Sequence, residues 1–455
     1  MDNLPLHEIV AMAGAKLLRD DSSISISRIS KDTRSIAPGD LYIALRGERF
    51  DGNAFASQAL NAGASAVLMD SPEEARKLAQ EHPVILAEDS LTALTNLAKN
   101  WRQRLMLKSV CITGSSGKTS TKEFTAAVLG SLLRTTKTQG NLNNHIGLPL
   151  SILSASTLDR AAVWELGMNH AGEITELASL AKPDCAIITN IGTAHIEHLG
   201  SREAIALEKG MLAEAVALDG TVILPTKDEF ASSIAARCKG RVVWAGIDSG
   251  DLLAADISPT PQGTSFTVVH AGKSYKASIP VHGRHMVSNA LLALTAGVEC
   301  GIPMEKAITA LGKTRLAGGR LEQKILQGII FLDDTYNANP DSMEAALETL
   351  HSMPGGGRRI AVLGKMGELG SYAAEGYRRT GAAASKLADI LVTVGAETNA
   401  IAEAARNDGM ARIHETENTS NAARMIRQLA RPGDVVLVKG SRSARMETLL
   451  THFAT

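Results

Sequence analysis

Short runs of apolar residues alternate with longer amphipathic segments along the chain. In the first part these β-prone runs are ISISRIS, DLYIAL, SAVLMD and PVILAED, with Ala-rich segments such as NAFASQALNAG between them. The segment LTALTNLAKNWRQRL then predicts a helix that leads into a change of pattern at Leu107. Strands that alternate with helices predict βαβ units and a parallel sheet.

The same alternation continues after Leu107 with more strongly apolar strands. The runs SVCIT, AAVWELG, CAIITNIG and GTVILP predict buried strands, TSFTVVHAGKSYKASIPV predicts a β-hairpin, and SNALLALTAGVECG predicts a helix. From about Thr314, the segments GIIFLDDTYNANP, RRIAVLGKM, ADILVTVG and PGDVVLVKGSRS each predict a strand that ends in a polar loop. Ligands of open α/β sheets bind beyond the carboxyl ends of the strands, so chemistry is expected in these loops.

These changes of pattern predict three α/β domains, at residues 1–106, 107–313 and 314–455. A chain of 455 residues agrees with that number, since a domain has roughly 150 residues. The central domain is predicted to contain a parallel sheet, and the carboxy-terminal domain is predicted to be Rossmann-like.

Composition narrows the possible functions. The chain has 47 Lys and Arg against 48 Asp and Glu, and this balance argues against nucleic acid or an anionic membrane as the main partner. No apolar run approaches the roughly 18 residues of a membrane span, and the amino terminus is acidic where a signal peptide would be basic. The 4 cysteines have no CxxC spacing and are expected to be buried, reduced thiols. A cytoplasmic protein is therefore expected.

The strongest chemical signal is TGSSGKTS at residues 113–120, after a predicted strand and before a predicted helix. Backbone N–H groups of such a loop can bind a triphosphate, Lys118 can reach the β- and γ-phosphates, and the Thr119 hydroxyl can bind Mg²⁺. The loop departs from GxxxxGK[ST], because residue 112 is Ile and the first glycine is Gly114. A helix-capping Gly/Ser turn is the alternative, and the strand and helix on either side favour nucleotide binding.

Three single residues stand where chemistry is expected, and each also has an ordinary structural explanation. Glu165 ends a buried strand, where it could bind a metal or cap the next helix. His195 follows another strand, where a histidine is more often a hydrogen-bonded structural residue. Lys209 lies on the predicted helix REAIALEKGMLAEAVAL, where lysines usually face solvent.

Three polar loops are further candidates. Asparagines 141, 143 and 144 are close together in TQGNLNNHIGLP. Clustered amides of this kind are typical both of polar-ligand binding and of Asx turns, and composition does not separate the two. The segments DDTYNANP at 333–340 and KGSRS at 439–443 each follow a strand. Alone, these would be an ordinary turn with a helix cap and a basic loop.

Together and in this order, the motifs resemble those of the Mur ligase family of ATP-dependent amide-forming enzymes. The resemblance covers essentially the whole chain and includes TGSSGKTS, GNLNNHIGLP, ELG, HIEHLG, a lysine fourteen residues after His195, GRHMVSNALLA, GR and KGSR. The segments GDLYIALRGERFDGNAF, DDTYNANPDSM, VLGKMGELG and VKGSRSARME are most similar to members that add D-alanyl-D-alanine. The DNPR motif of the diaminoacid-adding members is not present.

The resemblance implies the ligation of D-alanyl-D-alanine to UDP-N-acetylmuramoyl-tripeptide in peptidoglycan precursor synthesis, with ATP consumed through an acyl phosphate. It also implies a sugar-nucleotide-binding first domain, a central P-loop ATPase domain and a Rossmann-like third domain, in a chain that acts as a monomer. It leaves open whether the third residue of the tripeptide is diaminopimelate or lysine.

The resemblance also assigns roles to residues of this chain. It implies as catalytic residues Lys118, Glu165, His195, Lys209 and Arg320. For two Mg²⁺ ions it implies Thr119, Glu165, His195 and a carbamylated Lys209, because a carbamate offers oxygens to a hard cation. For the nucleotide it implies Gly114, Ser115, Ser116, Gly117, Lys118, Thr119, Ser120, Asn289, Arg320, Asp334 and Asn337. For the other substrates it implies Ser30, Thr33, Arg34, Arg46, Gly47, Asp51, Asn141, Asn143, Asn144, Lys439, Ser441 and Arg442.

Three residues depart from the family pattern, and three alternatives remain. Asn53 stands where a His is common, Met286 where an Asn is common, and Lys365 where an acid is common. The alternatives are an amide ligase with another nucleotide–peptide or polyglutamyl substrate, a P-loop ATPase or kinase that switches a partner's conformation, and a binding protein with a degenerate site. Product identity and a requirement for an amine would discriminate among them.

Overall fold

The computed structural model describes residues 1–21, 23–47, 50–316 and 318–454, so Glu48 and Arg49 of the GERF motif lie outside the described residues. The chain divides into two compact units. The first contains Met1–Cys111, Leu133–Gly167 and Thr175–Pro183, and the second contains Ile112–Leu132, Met168–Ile174 and Asp184–Thr455. The boundaries of the three predicted domains stay a prediction.

The amino-terminal part of the first unit is built around a small α/β sheet. Its strands are β1 (Leu4–Pro5), β2 (Lys16–Arg19), β3 (Ser25–Ile26), β4 (Arg28–Ser30), β5 (Asp40–Ile43), β6 (Arg46–Gly47), β7 (Phe50–Asp51), β8 (Ala66–Met69) and β9 (Val84–Leu86). Its helices are α1 (Leu6–Ala13), α2 (Ala56–Asn61), α3 (Pro72–Leu78) and α4 (Ser90–Arg104). Five strands form a sheet in the order β2-β9-β8-β5-β4, parallel except for β2. The strands β5 and β8 are buried on both faces, as parallel strands covered by helices are.

The central part of the chain supplies a larger sheet and the helices around it. Its strands are β10 (Lys108–Thr113), β11 (Thr135–Lys137), β12 (Ala161–Glu165), β13 (Cys185–Ile188), β14 (Thr221–Pro225), β15 (Arg241–Ile247), β16 (Leu252–Thr260), β17 (Gly263–His270) and β18 (Lys273–Ile279). Its helices are α5 (Lys118–Gly130), α6 (Gly147–Leu153), α7 (Glu173–Ala181), α8 (Ile196–Leu199), α9 (Arg202–Glu214), α10 (Ala231–Ala235), α11 (Arg284–Glu299) and α12 (Met304–Leu311). The first unit contains the strand order β11-β12-β10, and the second contains β10-β13-β14-β15-β16-β17-β18.

The carboxy-terminal part of the second unit has a six-stranded sheet. Its strands are β19 (Glu322–Leu326), β20 (Ile329–Asp334), β21 (Arg359–Gly364), β22 (Ile390–Val394), β23 (Ile413–Thr416) and β24 (Val435–Lys439). Its helices are α13 (Pro340–Ser352), α14 (Ala373–Leu387), α15 (Asn399–Asn407), α16 (Thr419–Leu429) and α17 (Glu447–Ala454). The order is β19-β20-β24-β21-β22-β23, and only β19 is antiparallel to its neighbour. Phe331 and Phe453 pack within its core with their ring centroids 4.8 Å apart.

Most of the elements predicted from the pattern are confirmed. The hairpin is β17 and β18, closed by Ala271 and Gly272, both with positive φ, as a two-residue turn requires. Two predictions about strand ends were wrong: Asp333 and Asp334 lie within β20, and Lys439 is the last residue of β24, not part of the following loop. The short strands β19 and β23 were not predicted, because their residues are mostly half-exposed and lack an apolar run. In the part of the chain described above, no helix is both long and apolar enough to cross a membrane.

Candidate functional site

The loop before α5 is closely packed at both of its glycines. Gly114 has φ of 146°, and a Cβ there would lie 1.9 Å from Oγ1 of Thr189. Gly117 has φ of 80°, and a Cβ there would lie 2.6 Å from Oδ1 of Asn289. Both positions therefore require glycine for conformation and for space. The loop ends at the amino terminus of α5, where the helix dipole favours an anion.

The side chains of this loop are linked to the segment that follows β13. Lys118 Nζ donates to the Gly114 carbonyl at 2.7 Å. Ser115 Oγ accepts from the amide of Gly192 at 2.9 Å, and the Ser116 amide donates to Oδ1 of Asn190 at 3.0 Å. The loop 113–120 and the segment leading to His195 thus form one hydrogen-bonded structure.

Two carboxylates, those of Asp228 and Asp341, also accept hydrogen bonds from the segment before His195. The Ile191 amide donates to Asp228 at 2.6 Å. Asp341 Oδ2 accepts from both the amide and the hydroxyl of Thr193, at 2.7 and 2.8 Å. Asp341 lies in the first turn of α13, and Asn339, which caps that helix, donates to Ser116 Oγ at 3.1 Å. The carboxy-terminal sheet therefore contributes directly to the ordering of the phosphate loop and its neighbour.

His195 precedes α8 in the left-handed conformation, with φ of 66°. Its Nδ1 lies 2.7 Å from Oε2 of Glu368. Burial lowers the pKa of His195, Glu368 opposes this, and the positive charge of Lys118, together with that of Lys209 whenever its amine is protonated, lowers the pKa further. The lowered pKa favours the neutral imidazole, which is the form that binds metal ions.

Lys209 lies on α9 and is completely buried. Among the described residues, its Nζ has no hydrogen-bond partner. Burial lowers its pKa well below the usual value, the nearby Lys118 lowers it further, and Glu208 opposes the shift. The solvent-exposed alternative for Lys209 is therefore wrong. Burial favours the uncharged form of this amine, which is the nucleophile that reacts with CO₂, and the resulting carbamate would supply the oxygens that this position lacks.

The candidates of the first unit form three hydrogen-bonded groups, of which the first contains Glu165 and the asparagines of the loop before α6. Glu165 is buried at the end of β12 and accepts from Nδ2 of Asn143 at 2.9 Å. Asn144 Oδ1 accepts from the amides of Ile146 and Gly147, at 3.2 and 2.9 Å, so this side chain forms an Asx turn at the start of α6. Asn141 belongs to the same loop, and its carbonyl accepts from the Asn143 amide at 2.8 Å.

Charged side chains surround the β6–β7 hairpin of the first sheet domain. Arg46 contacts Asp51 at 2.6 Å and Asp70 at 2.9 Å. Asn53, where the family pattern has a His, donates through Nδ2 to both carboxylates, at 2.7 and 2.8 Å. Gly47 pairs with Phe50 in the same hairpin. Asn53 thus has a clear role here, since it keeps both acids next to Arg46.

The remaining candidates of the first sheet domain lie just after β4. Ser30 is buried, and its hydroxyl donates to the Asp32 carbonyl at 3.2 Å. Thr33 begins a short 3₁₀ turn. Arg34 is exposed and pairs with Asp32 at 2.6 Å, so its guanidinium lies in solvent at the edge of this group.

Candidates assigned to different ligands contact one another in the carboxy-terminal sheet. Lys439 Nζ is buried and lies 2.6 Å from Asp334, and it also donates to the Asn337 carbonyl at 3.0 Å. Arg320 stacks on the ring of Tyr336, 3.9 Å from its centroid. Lys439 therefore holds the last residue of β20, Asp334, and the following segment at Asn337 in position.

The other candidates of this sheet lie at the same loop edge. The Ser441 amide donates to the carbonyl of Lys365 at 2.8 Å, and Ser441 Oγ lies 3.1 Å from Ser443 Oγ. Arg442 is exposed and lies 3.1 Å from Glu447. Lys365, which stands where the family has an acid, lies 3.2 Å from Glu397. The positive charge of Lys365 is thus paired within the same sheet domain.

The predicted metal ligands do not form a complete metal site by themselves. In the described ranges, no three His, Cys, Asp or Glu side chains come together in a way that could hold an ion. Mg²⁺ is commonly bound by only one or two protein groups together with substrate phosphates and water. Thr119, His195 and a carbamylated Lys209 fit that mode, and the orphaned Nζ of Lys209 is the observation that supports it.

Two residues of the site were given no role by sequence reasoning. Glu368 was quoted only as part of VLGKMGELG, and Asp341 only as part of DDTYNANPDSM. An acid in the first turn of a helix usually interacts with that helix, so nothing in the sequence indicated the contact of Asp341 with Thr193. Both contacts join segments well over a hundred residues apart.

The sequence matches three domain families along its length. These are the Mur ligase family catalytic domain at residues 25–102, the Mur ligase middle domain at 112–297 and the Mur ligase glutamate ligase domain at 319–442. Together they include the phosphate loop, His195, Lys209 and Glu368.

Relatives and solved structures match over almost the full length. The UDP-N-acetylmuramoyl-tripeptide–D-alanyl-D-alanine ligase of Bacillus subtilis is 38% identical over 428 residues, which are 93% of this chain and 92% of that protein. A crystal structure of MurF from Acinetobacter baumannii has a TM-score of 0.91 and 31% identity, covering 100% of this chain and 99% of that one. The MurF ligase of Thermotoga maritima, solved with ADP, has a TM-score of 0.83 and 27% identity, covering 94% and 97%.

Proposed function

This chain belongs to the Mur ligase family, and from this premise we propose that it is the ATP-dependent ligase that joins D-alanyl-D-alanine to UDP-N-acetylmuramoyl-tripeptide. The products are UDP-N-acetylmuramoyl-pentapeptide, ADP and phosphate. The observation that carries the proposal is the similarity, over almost the entire chain, to relatives whose names state this activity. The reaction supplies a peptidoglycan precursor, and so it serves cell wall synthesis, cell shape and cell division.

The first step brings two anions together, since the tripeptide carboxylate attacks the γ-phosphate of ATP. The phosphate loop and the amino terminus of α5 are positioned to bind the phosphates through backbone amides. Lys118 is positioned to place its ammonium against the β- and γ-phosphates. Its side chain would exchange the 2.7 Å bond to the Gly114 carbonyl for a bond to phosphate oxygen. Positioning and charge neutralisation of this kind supply most of the catalysis of phosphoryl transfer.

Two Mg²⁺ ions would neutralise the phosphoryl oxygens and orient them for attack. Within the second unit, Thr119, the neutral His195 and a carbamylated Lys209 are the groups that would hold them. Glu165 is the fourth predicted ligand, and its role stays a prediction. Buried at the end of β12, it is a carboxylate of the kind that Mg²⁺ prefers.

In the second step the amine of D-alanyl-D-alanine attacks the acyl phosphate and phosphate leaves. Arg320 carries a charge that would stabilise the leaving phosphate. Its guanidinium is oriented by stacking on Tyr336. Ser441 and Arg442, beyond the carboxyl end of β24, are proposed to receive the dipeptide. Exclusion of water from the acyl phosphate is required, since hydrolysis would waste it.

The proposal also assigns the remaining candidate residues to the nucleotide and to the UDP-sugar substrate. The nucleotide would contact residues 114–120 together with Asn289, Asp334 and Asn337. The UDP-sugar would contact the group around Arg46, and Asn141, Asn143 and Asn144 would approach its peptide. The protein is proposed to act in the cytoplasm as a monomer, without nucleic acid or membrane as a partner.

The test is phosphate release with ATP, Mg²⁺ and UDP-N-acetylmuramoyl-tripeptide, with and without D-alanyl-D-alanine, followed by mass analysis of the nucleotide product. We expect release to require both substrates and the product to be heavier by one dipeptide minus water. Release that is indifferent to the dipeptide would instead favour an ATPase that acts on another partner. A product with a different amine would favour another ligase of the family.

Lys118→Ala tests the nucleotide site in the same assay. We expect kcat to fall by about 100- to 1000-fold, the size seen when a charge-stabilising group is removed from an active site. Lys306→Ala removes an exposed lysine from α12 and serves as the control with unchanged kcat. Normal product formation by Lys118→Ala would contradict the assignment of the loop.

A further inference from the structure

The turn after β21 contacts the start of α8 in three places. Glu368 Oε2 lies 2.7 Å from Nδ1 of His195. The Glu197 amide donates to the Glu368 carbonyl at 3.3 Å. A Cβ on Gly370 would lie 3.0 Å from Cγ of Glu197, so the two backbones pass close to each other there. The pair of His195 and Glu368 is therefore supported by contacts of both segments.

Both partners of this pair have unusual backbone conformations. His195 has φ of 66° and Glu368 has φ of 59°, in the left-handed region that residues other than glycine seldom adopt. Such conformations persist only where the surrounding structure holds them, and they are concentrated at functional sites. Here the side chains of the two left-handed residues meet, with Oε2 of Glu368 2.7 Å from Nδ1 of His195, although the ring N–H is not aligned with the carboxylate as a hydrogen bond requires.

A carboxylate next to one ring nitrogen of a neutral histidine influences whether the other ring nitrogen carries a proton. A neutral imidazole has a single N–H, and the negative charge of a carboxylate 2.7 Å from Nδ1 favours the proton on that nitrogen, which leaves Nε2 with its lone pair. Metal-binding histidines usually donate their second nitrogen to a carboxylate or carbonyl in this way.

We propose that Glu368 is a positioning residue, which fixes His195 in the Nδ1–H tautomer and leaves Nε2 to bind Mg²⁺. This inference rests on the proposed function, because it takes His195 as a metal ligand. The two residues come from different predicted domains, 314–455 and 107–313. The carboxy-terminal domain thus orients a ligand of the central domain, next to the point where Asp341 holds Thr193.

The tautomer can be observed without metal or substrate. In protein labelled with ¹⁵N-histidine, two-bond ¹H–¹⁵N correlations distinguish the protonated from the unprotonated ring nitrogen, and His195→Gln identifies the signals of His195 among those of the 12 histidines. We expect Nδ1–H in the unaltered protein, a shift toward Nε2–H in Glu368→Ala, and Nδ1–H again in Glu368→Gln, whose amide oxygen still accepts a hydrogen bond. A proton on Nε2 in the unaltered protein, or an unchanged tautomer in Glu368→Ala, would overturn the proposal.

Binding and kinetics then test the link to the metal. We expect Glu368→Ala to bind Mn²⁺ in the presence of ADP about 10- to 100-fold more weakly, with kcat lower by a similar factor and KM for the dipeptide unchanged. Glu368→Gln should recover part of both losses. Glu375→Ala, which removes a similarly exposed, ion-paired glutamate from α14, is the matched control with no effect.

The outcomes separate this inference from the proposed function. A shifted tautomer with unchanged Mn²⁺ affinity would overturn the role of Glu368 toward the metal. Failure of the unaltered protein to ligate the two substrates would refute the proposed function, while the tautomer experiment would still decide whether Glu368 positions His195. Melting curves show whether each variant is folded. Glu368→Gln keeps the size of the side chain and so provides a result even if Glu368→Ala unfolds.

Discussion

At the scale of single residues, burial lowers the pKa of Lys209 and of His195. The residues next to them in the sequence do not reveal this burial. Lys209 lies on a helix that also carries acidic and apolar residues, yet its side chain is completely buried. Enclosure favours the uncharged amine, and it also makes the neighbouring positive charge of Lys118 more effective in lowering the pKa. Burial and the charge of Lys118 also lower the pKa of the half-buried His195, against the opposing effect of Glu368.

We expect Lys209 to form a carbamate with CO₂, because burial favours its uncharged amine and its Nζ has no hydrogen-bond partner among the described residues. Protein supplied with ¹³C-bicarbonate should show a carbamate signal by ¹³C NMR. The signal should be missing in Lys209→Met, which keeps the length and apolar stem of the side chain.

The same modification should be visible in activity. Removal of CO₂ should reduce ligation, and bicarbonate should restore it, while Lys209→Met should lose about 100- to 1000-fold in kcat. Lys239→Met, an exposed lysine of the same unit, is the control. Full activity of Lys209→Met would show that no modified lysine is needed.

At the scale of elements, the site depends on how two loops at the ends of β10 and β13 are packed together. Thr189, the residue after β13, lies against Gly114, the residue after β10. Its hydroxyl also donates to the Ser116 carbonyl at 2.6 Å. The carboxyl ends of neighbouring parallel strands thus place the phosphate loop and the segment of His195 side by side.

Gly114→Ala should disrupt both the fold of the loop and nucleotide binding. The new Cβ would lie 1.9 Å from Thr189 Oγ1, and φ of 146° is unfavourable for alanine, so a cost of about 2–5 kcal/mol is expected from strain and overpacking. Thermal melting and ATP binding measure the two effects.

Gly130→Ala in α5 is the matched change. Nothing lies within 4 Å of its Cβ position, and alanine at a compatible position stabilises a protein by about 0.4–1 kcal/mol. We expect an equal or higher melting temperature and unchanged ATP binding. An unaltered melting temperature in Gly114→Ala would mean that the loop tolerates a side chain.

At the scale of the whole molecule, apolar cores pack against mainly parallel sheets, and no two cysteines of the described residues are joined by a disulfide bond. The sheet of β20–β24 encloses a core that includes Phe331, Val362, Val392 and Val438. The first sheet has its own core around Tyr42 and Val67. The 4 cysteines are all free: Cys111 and Cys185 are buried in strands, and the other two are half-buried.

Reducing agents should therefore leave the protein unchanged. We expect the same melting temperature and the same kcat with and without dithiothreitol, because there is no disulfide bond whose loss would increase the entropy of the unfolded chain. A lower melting temperature under reducing conditions would reveal a disulfide bond and contradict this prediction.

The sequence alone determined the local structure and the types of residue available for chemistry. Short runs rich in apolar residues, such as CAII and SVCIT, are sufficient to predict buried strands. The spacing of TGSSGKTS between a strand and a helix is sufficient to predict a phosphate loop, since the backbone conformation there depends mainly on glycine. These features are local, so neighbouring residues specify them.

Only the tertiary structure decided which of these groups meet and what charge they carry. The sequence placed Lys209 on a helix but did not show that the helix face is buried, and a pKa depends on burial and on charges that come from elsewhere in the chain. It presented Asp334 and Lys439 as ligands of two different substrates, while the pairing of β20 with β24 joins them in one ion pair. It gave no sign that Glu368 lies against His195, because strand order and loop packing bring those residues together across the sequence.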